Sequence, residues 1–305
     1  MPRPNLAPRS PAPAAGGQPS FLSTQVTEIR RYFLNLTPKP TRHLEVVCGG
    51  VERCRHDYAI QRANFPYFGL EFVAEGDGRL TLNGREYALR PGCAFAYGPG
   101  VRHAISNVPQ RPMLKYYVDF VGEAGRRLLA ESALADWKLV QVASPNEVAN
   151  LFEALHRSAT VQSDFSRRIC ACLLEALVLK ISEQAVSTDR IESRAFPTYQ
   201  RVARYMEQHA NELKTAEDVA RACHINASYL CRLFQRFHHH SPYQFLLRLK
   251  MGQAATLLLD EGLRVKETAD HLGFGDQFNF SRTFKLVYGV SPEKFVKVGR
   301  RLGES

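Results

Sequence analysis

Nowhere in the 305 residues does an uninterrupted apolar run approach the ~20 residues that cross a bilayer, which argues against a membrane-spanning helix. The opening stretch, Met1 to Ser20, is rich in Pro, Ala and Gly and lacks the apolar centre of a secretory signal. It reads as a disordered leader (1–20), and the chain as cytoplasmic with no membrane partner. The seven cysteines, Cys48, Cys54, Cys93, Cys170, Cys172, Cys223 and Cys231, are odd in number and show no zinc-ribbon or finger spacing. That pattern speaks against a disulfide framework or structural zinc and predicts reduced thiols. Cys170-Ala-Cys172 lies in an apolar helical stretch, where small buried cysteine is the ordinary reading.

What remains is a globular composition, 45% hydrophobic and 23% charged, in a chain long enough for two domains. The formal charge of +10 favours anionic partners such as nucleic acid. From Pro197 to Ser305 there are 16 Lys and Arg against 11 Asp and Glu, only half of the excess, so charge alone does not locate a site.

Internal similarity does. Arg232-Leu-Phe234, Ser241-Pro242 and Phe245 recur 50 residues later as Arg282-Thr-Phe284, Ser291-Pro292 and Phe295, while Ala220 matches Ala269 at 49, leaving one extra residue in the second turn. Each copy reads as helix, turn, helix. Thr215 caps a first helix with Glu217 and Asp218 in its first turn. After a turn at His224, Ile225 and Asn226, the helix Ala227 to Phe237 places Leu230, Leu233, Phe234 and Phe237 on a buried face. Ser228, Tyr229, Cys231, Arg232, Gln235 and Arg236 are left facing outward. In the second copy Val265 to Leu272 precedes the turn Gly273-Phe274-Gly275-Asp276, and the helix from Gln277 is expected to bury Phe280, Phe284, Val287 and Tyr288. Each Ser-Pro starts a further helix, and the one from Pro242 to about Asp260 should hold the two copies at a fixed distance. Apolar spacing alone would fit any helical domain; the repeat is what that reading leaves unexplained. Two rigidly joined helix-turn-helix units reach successive major grooves roughly 34 Å apart.

The run Gly273-Phe-Gly-Asp-Gln-Phe-Asn-Phe-Ser-Arg-Thr-Phe-Lys285, followed by Tyr288-Gly-Val-Ser-Pro292, resembles the signature of the AraC/XylS family of transcription regulators. The resemblance implies that Ala227–Phe237 and Gln277–Tyr288 are recognition helices. Ser228, Tyr229, Cys231, Arg232, Gln235 and Arg236 in the first, and Gln277, Phe278, Asn279, Ser281, Arg282 and Lys285 in the second, are the implied DNA-binding residues. Cys231 and Phe278 stand where many members carry polar side chains, so the target sequence is not transferable from relatives. Further implied are double-stranded promoter DNA, a small-molecule effector such as a sugar, RNA polymerase and a second copy of the chain as partners.

From Tyr67 to Phe120 short apolar-alternating runs are broken by turns, with a hairpin signal at Asn83-Gly84. Gly92, Gly98-Pro99-Gly100, His103 and Asn107 resemble the second motif of cupin barrels. Phe65 and Tyr67 stand where a first-motif histidine pair would complete a metal site, so no metal, cofactor or catalytic residue is expected and His103 reads as a hydrogen-bonding pocket or turn residue. A cupin-type isomerase or dioxygenase with a helical appendage is the alternative, argued against by that missing pair. A fusion to a DNA-repair regulator would need an alkyl-accepting cysteine cluster that this half lacks. Tyr67, Glu71, Phe72, Phe95, Tyr97, His103 and Tyr116 are the candidate effector-pocket residues. His238-His239-His240 reads as a solvated turn. Helical periodicity over Asn146–Thr160 and Ser163–Gln184 puts Ile169, Leu173, Ala176, Leu177 and Ile181 on one side, to pack on the barrel or on a second subunit.

The expected fold is thus α+β and multidomain, with an N-terminal cupin-like β-barrel, flanking helices and a C-terminal all-α double helix-turn-helix domain. Its boundaries are a leader (1–20), a sensing barrel (21–143), a helical dimerisation or packing segment (144–186), a linker (187–196) and a DNA-binding domain (197–305).

Overall fold

The computed structural model describes residues 23–161, 163–186, 195–238 and 241–303, with side chains to residue 297. The leader, most of the linker, and His239 and His240 lie outside the described residues. The chain divides into two compact units, Met1–Ala185 and Val186–Ser305.

The first unit is two facing sheets, not one closed ring of hydrogen bonds. Strands β1 (Val26–Phe33), β2 (Glu45–Cys54), β4 (Phe68–Glu75), β7 (Cys93–Tyr97), β9 (Leu114–Val121), β10 (Val140–Val142) and β11 (Ala185–Val186) form a seven-stranded sheet in the order β1-β2-β9-β4-β7-β10-β11. The second sheet, β3-β8-β5-β6, contains β3 (Ala59–Arg62), β5 (Gly78–Leu82), β6 (Arg85–Leu89) and β8 (His103–Asn107). Asn83 and Gly84, with φ of 49° and 80°, turn β5 into β6 with Leu82 opposite Arg85. Positive φ at both central residues is the hairpin geometry that Asn-Gly favours.

Both faces of the larger sheet are buried. Val47, Val73, Leu80, Phe95, Tyr97 and Ile105 fill the space between the sheets. Leu70, Phe72, Val118 and Phe120 point the other way, onto α2 (Pro145–Thr160) and α3 (Ser166–Glu183). Helix α1 (Glu123–Ala130) follows β9. The buried stripe of α3 is Cys170, Leu174, Leu177, Val178 and Ile181, rotated from the expected one. Ile169 is exposed and Leu173 only half-buried, because Cys170 and Leu174 take the sheet-facing positions. Cys172, next to buried Cys170, is exposed.

The second unit holds α4 (Ala195–Gln208), α5 (Ala216–Ala222), α6 (Ala227–Phe237), α7 (Pro242–Leu259), α8 (Val265–His271), α9 (Gln277–Tyr288) and α10 (Pro292–Gly303). Helix α7 starts at Ser241, whose hydroxyl accepts from the Gln244 N–H while the Gln244 side chain accepts from the Ser241 N–H. Its first half packs Phe245 against Phe234 of α6. Its second half places Met251, Ala254, Leu257 and Leu258 in one cluster with Ala269, Leu272, Phe280 and Phe284. Where the halves meet, buried Lys250 donates from Nζ to the Leu272 carbonyl at 2.6 Å. That carbonyl ends α8, where a cation complements the helix dipole. Burial and nearby Lys214 push the Lys250 amine below its ordinary range.

Since the second unit carries its own apolar core, a fragment of residues 193–305 should give a helical circular dichroism spectrum and a cooperative melt. A non-cooperative melt would show that the unit depends on the rest of the chain.

Candidate functional site

The two helix-turn-helix units repeat at the level of single hydrogen bonds. In the first turn His224 N–H donates to Arg221 and Ile225 N–H to Ala220; in the second Gly273 N–H donates to Asp270 and Phe274 N–H to Ala269. The residue that reverses the chain has positive φ in both, 53° at His224 and 71° at Gly273. The next helix is capped alike: Asn226 Oδ1 accepts from the N–H groups of Ser228 and Tyr229, and Asp276 Oδ1 from those of Phe278 and Asn279. Gly275 is the extra residue of the second turn, and its φ is not positive.

These caps fix which faces of α6 and α9 look outward. On α6, Leu230, Leu233, Phe234 and Phe237 are buried, and Ser228, Cys231, Arg232, Gln235 and Arg236 are exposed. Tyr229 is half-buried, with the Arg232 guanidinium 5.8 Å from its ring centre. On α9, Gln277, Phe278, Asn279, Arg282 and Lys285 are exposed and Ser281 is half-buried. Phe280 and Phe284 are buried as expected, but Val287 is exposed and Tyr288 only partly covered, its hydroxyl donating to the Met251 carbonyl at 3.0 Å. The core ends one turn early because Phe295 of α10 closes over Phe284 and Tyr288. His238 is not a solvated turn residue: half-buried, its ring sits 4.8 Å from that of Phe245.

Between the two sheets of the first unit lies a buried ionic cluster. Strand register creates it: Glu52 of β2 stands opposite Lys115 of β9, Cys48 opposite Asp119, and Glu71 of β4 opposite Tyr117. Lys115 Nζ donates to Glu71 at 2.9 Å and reaches Glu52 at 3.4 Å; Arg31 pairs with the other side of Glu52. Tyr97 donates its hydroxyl to Glu71 at 2.7 Å, and its ring stacks on His103 at 3.8 Å. Gly69 permits this, since a Cβ there would stand 2.4 Å from the Tyr97 ring. Phe65 meets both Tyr97 and His103 edge-on. Tyr67 donates to the Leu36 carbonyl, and Phe95 lies in the same inner cluster.

Phe72 and Tyr116 do not belong to this interior. They pair across β4 and β9 on the outer face, stacked against Phe152 of α2, with the Tyr116 hydroxyl donating to Glu153. The parity of β9 is Lys115-Tyr117-Asp119 inward, one residue off Tyr116. Glu52, Lys115, Asp119, Tyr58 and Arg62 are pocket residues that sequence reasoning missed. Polar side chains at every second position of β9 were the available signal.

Burial alone would raise the Glu71 pKa, but Lys115 and the Tyr97 hydroxyl outweigh it and hold the carboxyl below its ordinary range. Asp119 has the opposite balance: burial and neighbouring Glu71 raise it from 3.8 to about 7, against the lowering effect of the Cys48 thiol. Its Oδ1, the Tyr58 hydroxyl and His103 Nε2 are buried and have no hydrogen-bond partner among the described residues. Asp119 and Tyr58 border a hollow, with Arg62 and Tyr117, of only about 20 Å³; His103 does not line it. A larger concavity of about 590 Å³ lies among Ala59, Thr81, Ala88, Ala104 and Ser106 of the second sheet. Charged groups converge on the small interior hollow, not on the larger concavity. Among the described residues no three His, Cys, Asp or Glu side chains are grouped to hold a metal ion, and no helix is long and apolar enough to cross a membrane.

Paired helix-turn-helix units with exposed, basic second helices define a sequence-reading DNA-binding protein, here joined to a β-sandwich whose apolar core encloses an ionic cluster. Family models agree: one described as a helix-turn-helix domain matches residues 219–297, and one described as an AraC-like ligand binding domain matches residues 47–179. The chain belongs to the AraC/XylS family of transcription regulators. It is 25% identical to the uncharacterized HTH-type transcriptional regulator YisR of Bacillus subtilis, over 78% of this chain and 88% of that one. The Msm operon regulatory protein of Streptococcus mutans is 21% identical, over 81% and 90% of the two chains. The lactose operon transcription activator of Staphylococcus xylosus is 22% identical over the same shares, 81% and 90%.

The Asp119 carboxyl makes a pH prediction. Between 3.8 and about 7 the folded chain holds a proton that the unfolded chain releases. This group's contribution to stability is therefore fully present at the acid end and is lost as pH rises toward 7. Asp119→Asn should accordingly gain on the parent protein by about 3 kcal/mol between about pH 4.5 and about pH 8 in urea unfolding. A difference that does not change with pH would show that Asp119 is ionised throughout.

Proposed function

We propose that this chain is an effector-responsive transcription activator, not an enzyme, and works in the cytoplasm as a homodimer. The observation that carries the reading is the hydrogen-bond repeat that displays α6 and α9 alike. In this reading both helices enter successive major grooves of promoter DNA, with Arg232 and Arg282 at matched positions toward base edges or phosphates. Ser228, Cys231, Gln235 and Arg236, and Gln277, Phe278, Asn279, Ser281 and Lys285, complete the two faces, with Tyr229 supporting Arg232. RNA polymerase is the partner through which activation proceeds.

The effector is a small polyhydroxylated molecule such as a sugar, held between the sheets by Glu71, Tyr97, His103, Asp119 and Tyr58, with Tyr67 and Phe95 as apolar walls. Hydroxyl groups suit a site with orphaned donors and acceptors and with its cations already paired. Two relatives, named for the msm and lactose operons, support carbohydrate genes as targets. Entry of a sugar requires the sheets to part, and that movement is the available signal.

Dimerisation falls to α3. Phe165, Ile169, Cys172, Ala176 and Leu179 recur at spacings of four and three along its uncovered side, with Phe165 70%, Ile169 44% and Leu179 57% exposed. This is the seam of a two-helix coiled coil. Leu179→Glu should convert the dimer to a monomer in sedimentation without changing the fold; an unchanged mass would remove α3 from the interface.

For the DNA reading, Arg282→Ala and Arg232→Ala should each weaken operator binding by ~1–3 kcal/mol and reduce protection in one half-site only. Unchanged affinity and salt dependence in both variants would defeat the assignment of the faces.

A further inference from the structure

The two recognition helices share a backbone plan but present different chemistry. Superposed through the 50-residue repeat, three outward positions one turn apart are Ser228, Arg232 and Arg236 on α6, and Phe278, Arg282 and Leu286 on α9. The middle position is arginine in both. At the outer positions α6 carries a hydroxyl and a second guanidinium, whereas α9 carries a phenyl ring and an isobutyl group. Phe278 is 73% and Leu286 82% exposed, the two most exposed large hydrophobic side chains of the described residues.

Neither has a folding role that explains it. The aromatic cluster of the second unit runs through Phe274, Phe280, Phe284, Tyr288 and Phe295 and does not include Phe278. Asp276 fixes Phe278 in the first turn of α9, the part of a recognition helix that enters the groove first. In the major groove the one apolar group on a base edge is the thymine methyl. Leu286, eight residues on, lies about 12 Å further along the helix axis, or about three to four base steps of 3.4 Å.

We propose that α9 reads thymine methyls at two positions, one facing Phe278 and one about three to four base pairs away facing Leu286, on either side of the base pair met by Arg282. Helix α6 reads its half-site through hydroxyl, thiol, amide and guanidinium groups. The operator is therefore two chemically unlike half-sites, not a repeat. Charge does not separate the helices, since Arg232 and Arg236 are matched in number by Arg282 and Lys285; the difference lies in base reading. This inference rests on α6 and α9 being the DNA-reading helices.

The test begins with selection of an operator from random double-stranded DNA by the full chain, with half-sites assigned from the footprints of Arg232→Ala and Arg282→Ala. Each thymine of the α9 half-site is then replaced by deoxyuridine, which removes only the methyl group. Two replacements, three to four base pairs apart, should each weaken binding about fourfold, the effect of one buried methyl-sized group. Replacements in the α6 half-site should have no effect. In Phe278→Asn the first methyl should cease to matter and reselection should favour adenine there, because Asn pairs with its N6 and N7 edge. In Leu286→Asn the second methyl should lose its effect while the first keeps it. A circular dichroism melt matching the parent's establishes that these exposed substitutions leave the fold intact.

An operator bound specifically but indifferent to every methyl removal in the α9 half-site overturns the proposal and leaves the regulator reading standing. So does a Phe278→Asn protein that selects the parent sequence. Failure to select any operator removes the regulator reading and this inference with it.

Discussion

Helix α7 is the constraint on which the DNA-reading unit depends. Its first half belongs to one helix-turn-helix core through Phe245, and its second half to the other through Met251, Ala254, Leu257 and Leu258. At the change of allegiance stands Lys250, a buried ammonium bound to the carbonyl that ends α8. A buried charge is costly unless its partner is well placed, so this contact favours one placement of the second unit relative to the first. A rigid spacer turns two weak readers into one long one, because the second helix reaches the groove at little further entropic cost.

In the sensing unit the corresponding constraint is ionic. Arg31, Glu52, Lys115 and Glu71 form an alternating chain of charge between the sheets, ended by the Tyr97 hydroxyl. The side chain of each member is buried, and each has a partner on a neighbouring strand or a strand beyond it. Removing one leaves an uncompensated charge in a medium of low dielectric. Such a cluster adds little net stability, but it ties strand register to polarity, because a one-residue slip would carry every member to the helix-covered face. Asp119 stands apart from the chain, held only by the Cys48 thiol.

The two halves therefore handle exposed and buried chemistry in opposite ways. The sandwich encloses its charged groups and fills most of the space between them, so recognition there requires displacement. The helical unit leaves the outward side chains of α6 and α9 in water, arginine, amide and even phenyl groups among them. An exposed single apolar residue is ordinary on a protein surface. Two on the same stripe as Arg282, at positions where the sister helix is polar, are a feature of that stripe.

The sequence by itself determined the helical half almost completely. Period, caps and turn residues are local, so the 50-residue repeat, Thr215 as a cap, the turns at Asn226 and Asp276 and the outward faces of α6 and α9 could be read without tertiary information; that Asn226 and Asp276 also cap the helices after those turns came from the structure. The exceptions, Val287 and Tyr288, depend on how α10 closes the core. The sandwich was legible only as strands and turns. Because helices cover one face of its main sheet and the second sheet covers the other, alternation shows that residues take opposite sides but not which side is inward. That choice turned Glu71 and Tyr97 toward the space between the sheets, placed Phe72 and Tyr116 against α2, and set Glu52, Lys115 and Asp119 beside Glu71. These last meet only through pairing across β2, β9 and β4, contacts between residues far apart in the chain, and a single strand's pattern does not contain its neighbour's register.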